Sequence, residues 1–144
     1  MRLFTSRFHN REVRSRPDLV KVAIIVGKPR WPVGFDYVTL NILAPYGRLF
    51  TINDRLQFTQ AYFGKLDSLG VGVIRAEFER ISNEHGDKDL VLLCYENLTK
   101  PGEWCHRQVF AEWWLQETGE VIEELETGAE PSVSSPGTLQ LPFC

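Results

Sequence analysis

The sequence predicts a single α/β domain with a mostly parallel central sheet flanked by helices, and three observations carry that expectation. Two predominantly apolar runs, Val20 to Val26 and Leu90 to Tyr95, read as buried strands, and the second shows no alternation of polar and apolar residues, the pattern of a strand buried on both faces. Between and after them lie segments whose apolar residues recur every three or four positions, the period of a helix with one buried face. The chain has 144 residues, of which about 125 precede a polar tail, enough for a core that hides roughly two-thirds of the unfolded surface.

Taken in order, Arg2 to Phe8 alternates weakly and reads as a first strand, with Thr5, Ser6 and Arg7 near its end. The polar stretch from His9 to Leu19 is a connection with room for a helical turn before Pro17. The second strand, Val20 to Val26, leaves through Gly27-Lys28-Pro29-Arg30-Trp31-Pro32, a turn that cannot continue a sheet. The Gly-Lys pair in it is not a phosphate loop of the GxxxxGK type. From Val33 to Ile52 the pattern indicates a buried irregular segment turning at Pro45-Tyr46-Gly47.

Asn53 or Asp54 then caps a helix whose wide apolar face comprises Leu56, Phe58, Tyr62, Phe63, Leu66 and Leu69, and Gly70 closes it. Ile74, Phe78 and Ile81 build a second helix that ends near His85-Gly86, where His85 reads as a cap. After the strand at Leu90–Tyr95, Pro101 and Gly102 break the chain. A third helix follows, with Val109, Phe110, Trp113 and Trp114 on its inner face and Gly119 at its end. Glu120 to Leu125 returns as a short final strand. The domain therefore runs over 1–125, and 126–144, rich in Pro, Ser, Gly and Glu, is expected to be a flexible C-terminal tail.

A strand, a loop and a helix in that order bring the first helical N–H groups to the carboxyl edge of the sheet, where open α/β proteins bind ligands. Cys105, His106 and Arg107 stand there. A helix N-terminus favours a thiolate, histidine moves protons near neutral pH, and arginine presents a donor fork to phosphate or carboxylate. The same residues also suit a structural role: a small buried Cys105, a surface His106, and an Arg107 paired with Glu103 or Glu112. A cysteine phosphatase is disfavoured, because no arginine stands six positions after Cys94 or Cys105; those positions are Lys100 and Ala111.

The segments LLCYE, PGEWCHRQVFAEWW and TGEVIEEL resemble the C-terminal signature of the family catalogued as domain of unknown function 488. FTSRF and VAIIVGKPRW resemble that family's first two strands, so the likeness runs from Leu3 to Leu125. It implies a small Rossmann-like domain. It also marks Ser6, Arg7, Lys28, Arg30, Glu96, Cys105, His106 and Arg107 as site positions, while supplying no established activity. In many members an acidic-basic pair ends the second strand; here Val26, Gly27 and Lys28 replace it.

On this reading Cys105, His106 and Glu96 are the candidate catalytic groups, as nucleophile or donor, acid or base, and orienting carboxylate. Arg107, Arg7, Arg30, Ser6 and Lys28 are the candidate ligand-binding groups. The expected partner is a small phosphorylated or nucleotide-like anion, and no cofactor is identified. Residues 1–30 hold eight bases against two acids, while the whole chain carries a formal charge of −3, so nucleic acid could meet the basic N-terminal third. A sequence pI near 5.6 argues against broad duplex binding. The sequence does not give the oligomeric state. An adaptor role through the acidic C-terminal helix and tail is a further possibility.

Three cysteines without a spaced framework argue against disulfide stapling, and Cys94 reads as core. Metal binding is disfavoured, because Cys94 and Cys105 are far apart in sequence, adjacent Cys105 and His106 on a helix diverge and no second Cys or His pair is near; zinc would need ligands from elsewhere, such as His9 or His85. No apolar stretch approaches the roughly 18 residues of a membrane span. With no apolar signal core at the N-terminus, the expected location is cytoplasmic and away from membranes.

Overall fold

The computed structural model describes residues 1–96, 98 and 102–125. Its centre is a five-stranded, wholly parallel sheet in the order β3-β2-β4-β1-β5. The strands are β1 (Leu3–Arg7), β2 (Leu19–Ala23), β3 (Val38–Thr39), β4 (Asp89–Cys94) and β5 (Glu123–Glu124). The helices are α1 (Arg11–Arg14), α2 (Arg55–Leu69), α3 (Val71–Glu84) and α4 (His106–Thr118). Among the described residues, no helix is long and apolar enough to cross a membrane. The tail assigned to 126–144 lies outside the described residues, as do positions 97 and 99–101 of the loop before α4.

The central strands β1, β2 and β4 are buried almost throughout because both faces of the sheet are covered. On one face Val20, Val22, Ile24, Leu90 and Leu92 pack against the inner sides of α2, α3 and α4. On the other, Phe4, Leu19, Ala23, Val91 and Leu93 lie under Val13 of α1 and the aromatic segment Trp31, Phe35 and Tyr37. The helix ends follow local chemistry: Asp54 accepts from the Gln57 N–H at the start of α2, and Gly119, at φ 77°, closes α4 in a left-handed turn that disfavours a Cβ.

Several expectations change in detail. The second strand ends at Ala23, although Ile24 and Ile25 stay buried beyond it. The segment 33–52 is more regular than its pattern implies: it holds the edge strand β3 and two 3₁₀ turns, Asn41–Leu43 and Gly47–Thr51. Leu56, expected on the buried face of α2, is 67% exposed, because the face that meets the sheet is Phe58, Tyr62 and Leu66 at strict four-residue spacing.

Register sets the next level. Arg7 of β1 pairs with Cys94 of β4, and Ala23 of β2 pairs with Leu93, so the carboxyl ends of three adjacent strands finish at one edge. That edge holds the candidate site.

Trp114 is fully buried, with ring centroids 5.6 Å from Phe78 and 5.7 Å from Phe110, and its indole N–H donates to Glu120. Trp114→Ala should cost about 3–5 kcal/mol in denaturant unfolding, whereas Leu56→Ala should stay within about 0.5 kcal/mol. Equal effects would contradict this assignment of inner and outer faces.

Candidate functional site

Cys105 is the N-cap of α4, in extended conformation at φ −145° and ψ 152°, and His106 is the first helical residue. Because Cys105 stands outside the helical turn, its side chain does not diverge from that of His106. The Sγ of Cys105 and the Nδ1 of His106 are 3.7 Å apart. Cys94 ends β4 directly beneath them, and its sulfur is in bonding contact with that of Cys105, joining the two as a disulfide across 11 residues. Two expectations are thereby corrected. An odd cysteine count does not prevent pairing when a strand end and the following helix cap converge, and Cys94 is part of the site as well as of the core. The two sulfurs and a ring nitrogen of His106 all lie within 4.8 Å of one another, a grouping able to hold a metal.

These residues form the floor of a cleft of about 940 Å³ at the carboxyl edge of the sheet. One wall is aromatic: the ring of Trp31 stacks on that of His9 with centroids 4.5 Å apart and leans on Tyr95 at 5.5 Å. Trp104, packed on Phe58 at 5.1 Å, also lines the cleft. Lys28 and Arg30 line the cleft from the turn after β2, and Glu96 and Glu103 line it from the loop after β4. Burial raises the pKa of Glu96 above that of an ordinary carboxyl; neighbouring Glu103 adds to the rise, while a backbone hydrogen bond and Arg107 oppose it.

His106 is held neutral. Its pKa falls from 6.5 to about 4, first because burial penalises the imidazolium, and further because Arg107 and Lys65 lie nearby; its bond to Ile24 opposes the fall. The Ile24 carbonyl accepts from Nε2, which assigns the proton to that nitrogen and leaves the lone pair of Nδ1 facing Cys105. Tyr62 meets the ring edge-on at 6.0 Å. The Tyr62 hydroxyl donates to the Leu43 carbonyl, and burial raises its pKa well above the ordinary value.

Arg107 does not face the cleft. It is fully buried, and its fork grips Glu124 of β5 through Nε at 3.0 Å and Nη2 at 2.8 Å. Nη1 donates to Cys94 Sγ at 3.2 Å, and Nη2 also donates to the Glu96 carbonyl at 3.0 Å. Helical geometry explains the change of role: one position after His106, the side chain is turned inward, toward β4 and β5. The partner is Glu124, in place of the expected Glu103 or Glu112. Ser6 is likewise buried and structural, donating to the Leu125 carbonyl and accepting from Asn10. Arg7 is half-buried at the end of β1 and does not line the cleft.

Of the eight residues singled out from sequence, five therefore line one cleft: Lys28, Arg30, Glu96, Cys105 and His106. Arg107, Ser6 and Arg7 form or adjoin its support. Sequence reasoning missed Tyr95 in the cleft and Glu124 behind it, and named His9 only as a conceivable zinc ligand. The one usable signal was the acidic pair Glu123-Glu124 in a short terminal strand, of which Glu124 meets Arg107 and Glu123 meets Arg2.

Two outcomes follow from this geometry. Arg107→Ala leaves Glu124 and the Cys94 sulfur without their buried donor, so unfolding free energy should drop by about 3–5 kcal/mol; a loss below about 1 kcal/mol would contradict the buried pair. The folded pKa of His106 lies below its unfolded value, so its contribution to stability is complete above pH 6.5 and is lost as pH falls through about 4. That acid-labile part amounts to at most about 3 kcal/mol, and His106→Gln should flatten the stability profile across this window.

Comparison with protein-family models, with curated proteins and with solved structures finds no match, so the functional reading rests on the geometry of the cleft.

Proposed function

We propose that this chain binds a small phosphorylated or nucleotide-like anion in the cleft, placing the ligand's reactive end over Cys105 and His106. The observation that carries the reading is the position of Lys28 and Arg30 in the same cleft as the Cys105–His106 pair, at the carboxyl edge of a parallel sheet. In that arrangement the two cations meet the negative charge. Trp31 and Tyr95, their rings tilted to each other, offer aromatic surface to a base or another planar group. Glu96, its carboxyl biased toward the protonated form by burial, is suited to donate to a ligand oxygen or hydroxyl. The resemblance to the family of domain of unknown function 488 agrees with this choice of residues and adds no reaction to it.

Titration calorimetry with AMP and with inorganic phosphate tests the proposal, with the tryptophan fluorescence of Trp31 and Trp104 as a second signal. Saturable binding is expected, weakened tenfold or more in the Lys28→Ala/Arg30→Ala double variant, since each charged hydrogen bond is worth about 1.5–3 kcal/mol. Absence of binding to both probes, or binding indifferent to the double variant, would overturn it. Capture of polynucleotide alone, with a steep dependence on salt, would instead favour a nucleic-acid module built on the basic N-terminal third.

A further inference from the structure

We infer that Cys94, Cys105 and His106 form a metal site for a thiophilic divalent cation of the zinc class, with its fourth coordination position open to the cleft. The inference goes beyond anion binding, since the donor set underlies the cleft and does not include Lys28 or Arg30.

The donor chemistry is that of zinc: two sulfurs and an imidazole, with three protein ligands and one position left for water or a ligand oxygen. The three donor atoms lie within 4.8 Å of one another and all three residues line the cleft, so a bound ion would be reachable from it. In a tetrahedral site a sulfur and a nitrogen on one ion stand about 3.6 Å apart, from ordinary bond lengths of about 2.3 and 2.1 Å. Cys105 Sγ and His106 Nδ1 are 3.7 Å apart.

The backbone agrees with the side chains. The Cα atoms of Cys94 and Cys105 are 7.5 Å apart, beyond the usual range of about 4.4–6.8 Å for a disulfide. An ion between two sulfurs holds them about 3.8 Å apart, and that wider bridge suits a wider backbone separation. The reduced dithiol is the metal-binding form, and the disulfide is its oxidised alternative.

The outer layer is also that of a metal centre. The Nε2–H of His106 is tied to the Ile24 carbonyl, which fixes the tautomer that presents Nδ1 to the ion. Arg107 donates to Cys94 Sγ at 3.2 Å, a bond that stabilises a thiolate. Its charge is already balanced by Glu124, so two thiolates and a divalent cation leave the buried layer neutral overall.

The test uses the full chain carrying Cys144→Ser, reduced and freed of metal, titrated with Co²⁺ and then displaced with Zn²⁺. One equivalent of Co²⁺ should bind with a thiolate-to-cobalt charge-transfer band, and Zn²⁺ should abolish the band. Cys94→Ser, Cys105→Ser and His106→Gln should each weaken Co²⁺ binding by more than the 10–100-fold typical of losing an outer partner. Should a cysteine variant fail to fold, alkylation in the Cys144→Ser chain decides: one equivalent of Zn²⁺ should protect both Cys94 and Cys105. Absence of 1:1 binding, Co²⁺ bound without the charge-transfer band, or alkylation unaffected by Zn²⁺ would overturn the inference. Metal binding should persist in Lys28→Ala/Arg30→Ala, which separates failure of this site from failure of the anion reading.

Discussion

The buried guanidinium of Arg107 is the point on which the carboxyl edge of the sheet depends. One side chain reaches the carboxylate of β5, the sulfur at the end of β4 and the carbonyl that follows it, while its own backbone belongs to the first turn of α4. Fully removed from water, that charge is tolerable only because its donors meet acceptors and Glu124 cancels it. Glu124 is positioned in turn by the Thr5 hydroxyl of β1. Three strands and a helix are thus referred to one planar fork, which holds the N-terminus of α4 over the end of β4 and so brings Cys105 to Cys94.

The site above this anchor divides into layers of different chemistry. The floor is soft, made of two buried sulfurs and a neutral imidazole. The walls are aromatic, and Lys28 and Arg30 bring cationic charge from the turn after β2. Separation of this kind suits a ligand with a charged group and a flat group, because each meets a complementary surface without desolvating the other's partner. It also assigns the Cys-His-Arg triplet two tasks. Cys105 and His106 face the cleft, while Arg107 supports it from behind.

Much of the fold was legible in the sequence because it depends on local signals. Apolar runs marked β2, despite Lys21, and β4, three- and four-residue spacings marked the inner faces of α3 and α4, and Asp54, Gly70 and Gly119 marked helix ends. The edge strand β3 was not legible: its two residues are defined by pairing with Val22 and Ala23, a partner that no local pattern reveals. Leu56 misled for a related reason, since apolar character permits burial but does not decide which way a helix turns.

By itself the sequence determined the class of fold, and it marked the carboxyl edge as the place of a candidate site with Cys105, His106, Lys28, Arg30 and Glu96 among its candidate residues. The fold class, the edge and the candidacy of Cys105 and His106 follow from periodicity and from the order strand, loop, helix; Arg30 follows from its place after an apolar strand, and Lys28 and Glu96 enter through the resemblance to the family of domain of unknown function 488. Only the tertiary structure decided that Cys94 joins Cys105, that His106 points Nδ1 at the sulfur, and that Arg107 belongs to Glu124 rather than to a ligand. The physical reason is that side-chain partnership is set by strand order, register and the rotation of a helix about its axis. These emerge when distant segments pack together, and residue spacing along the chain does not encode them.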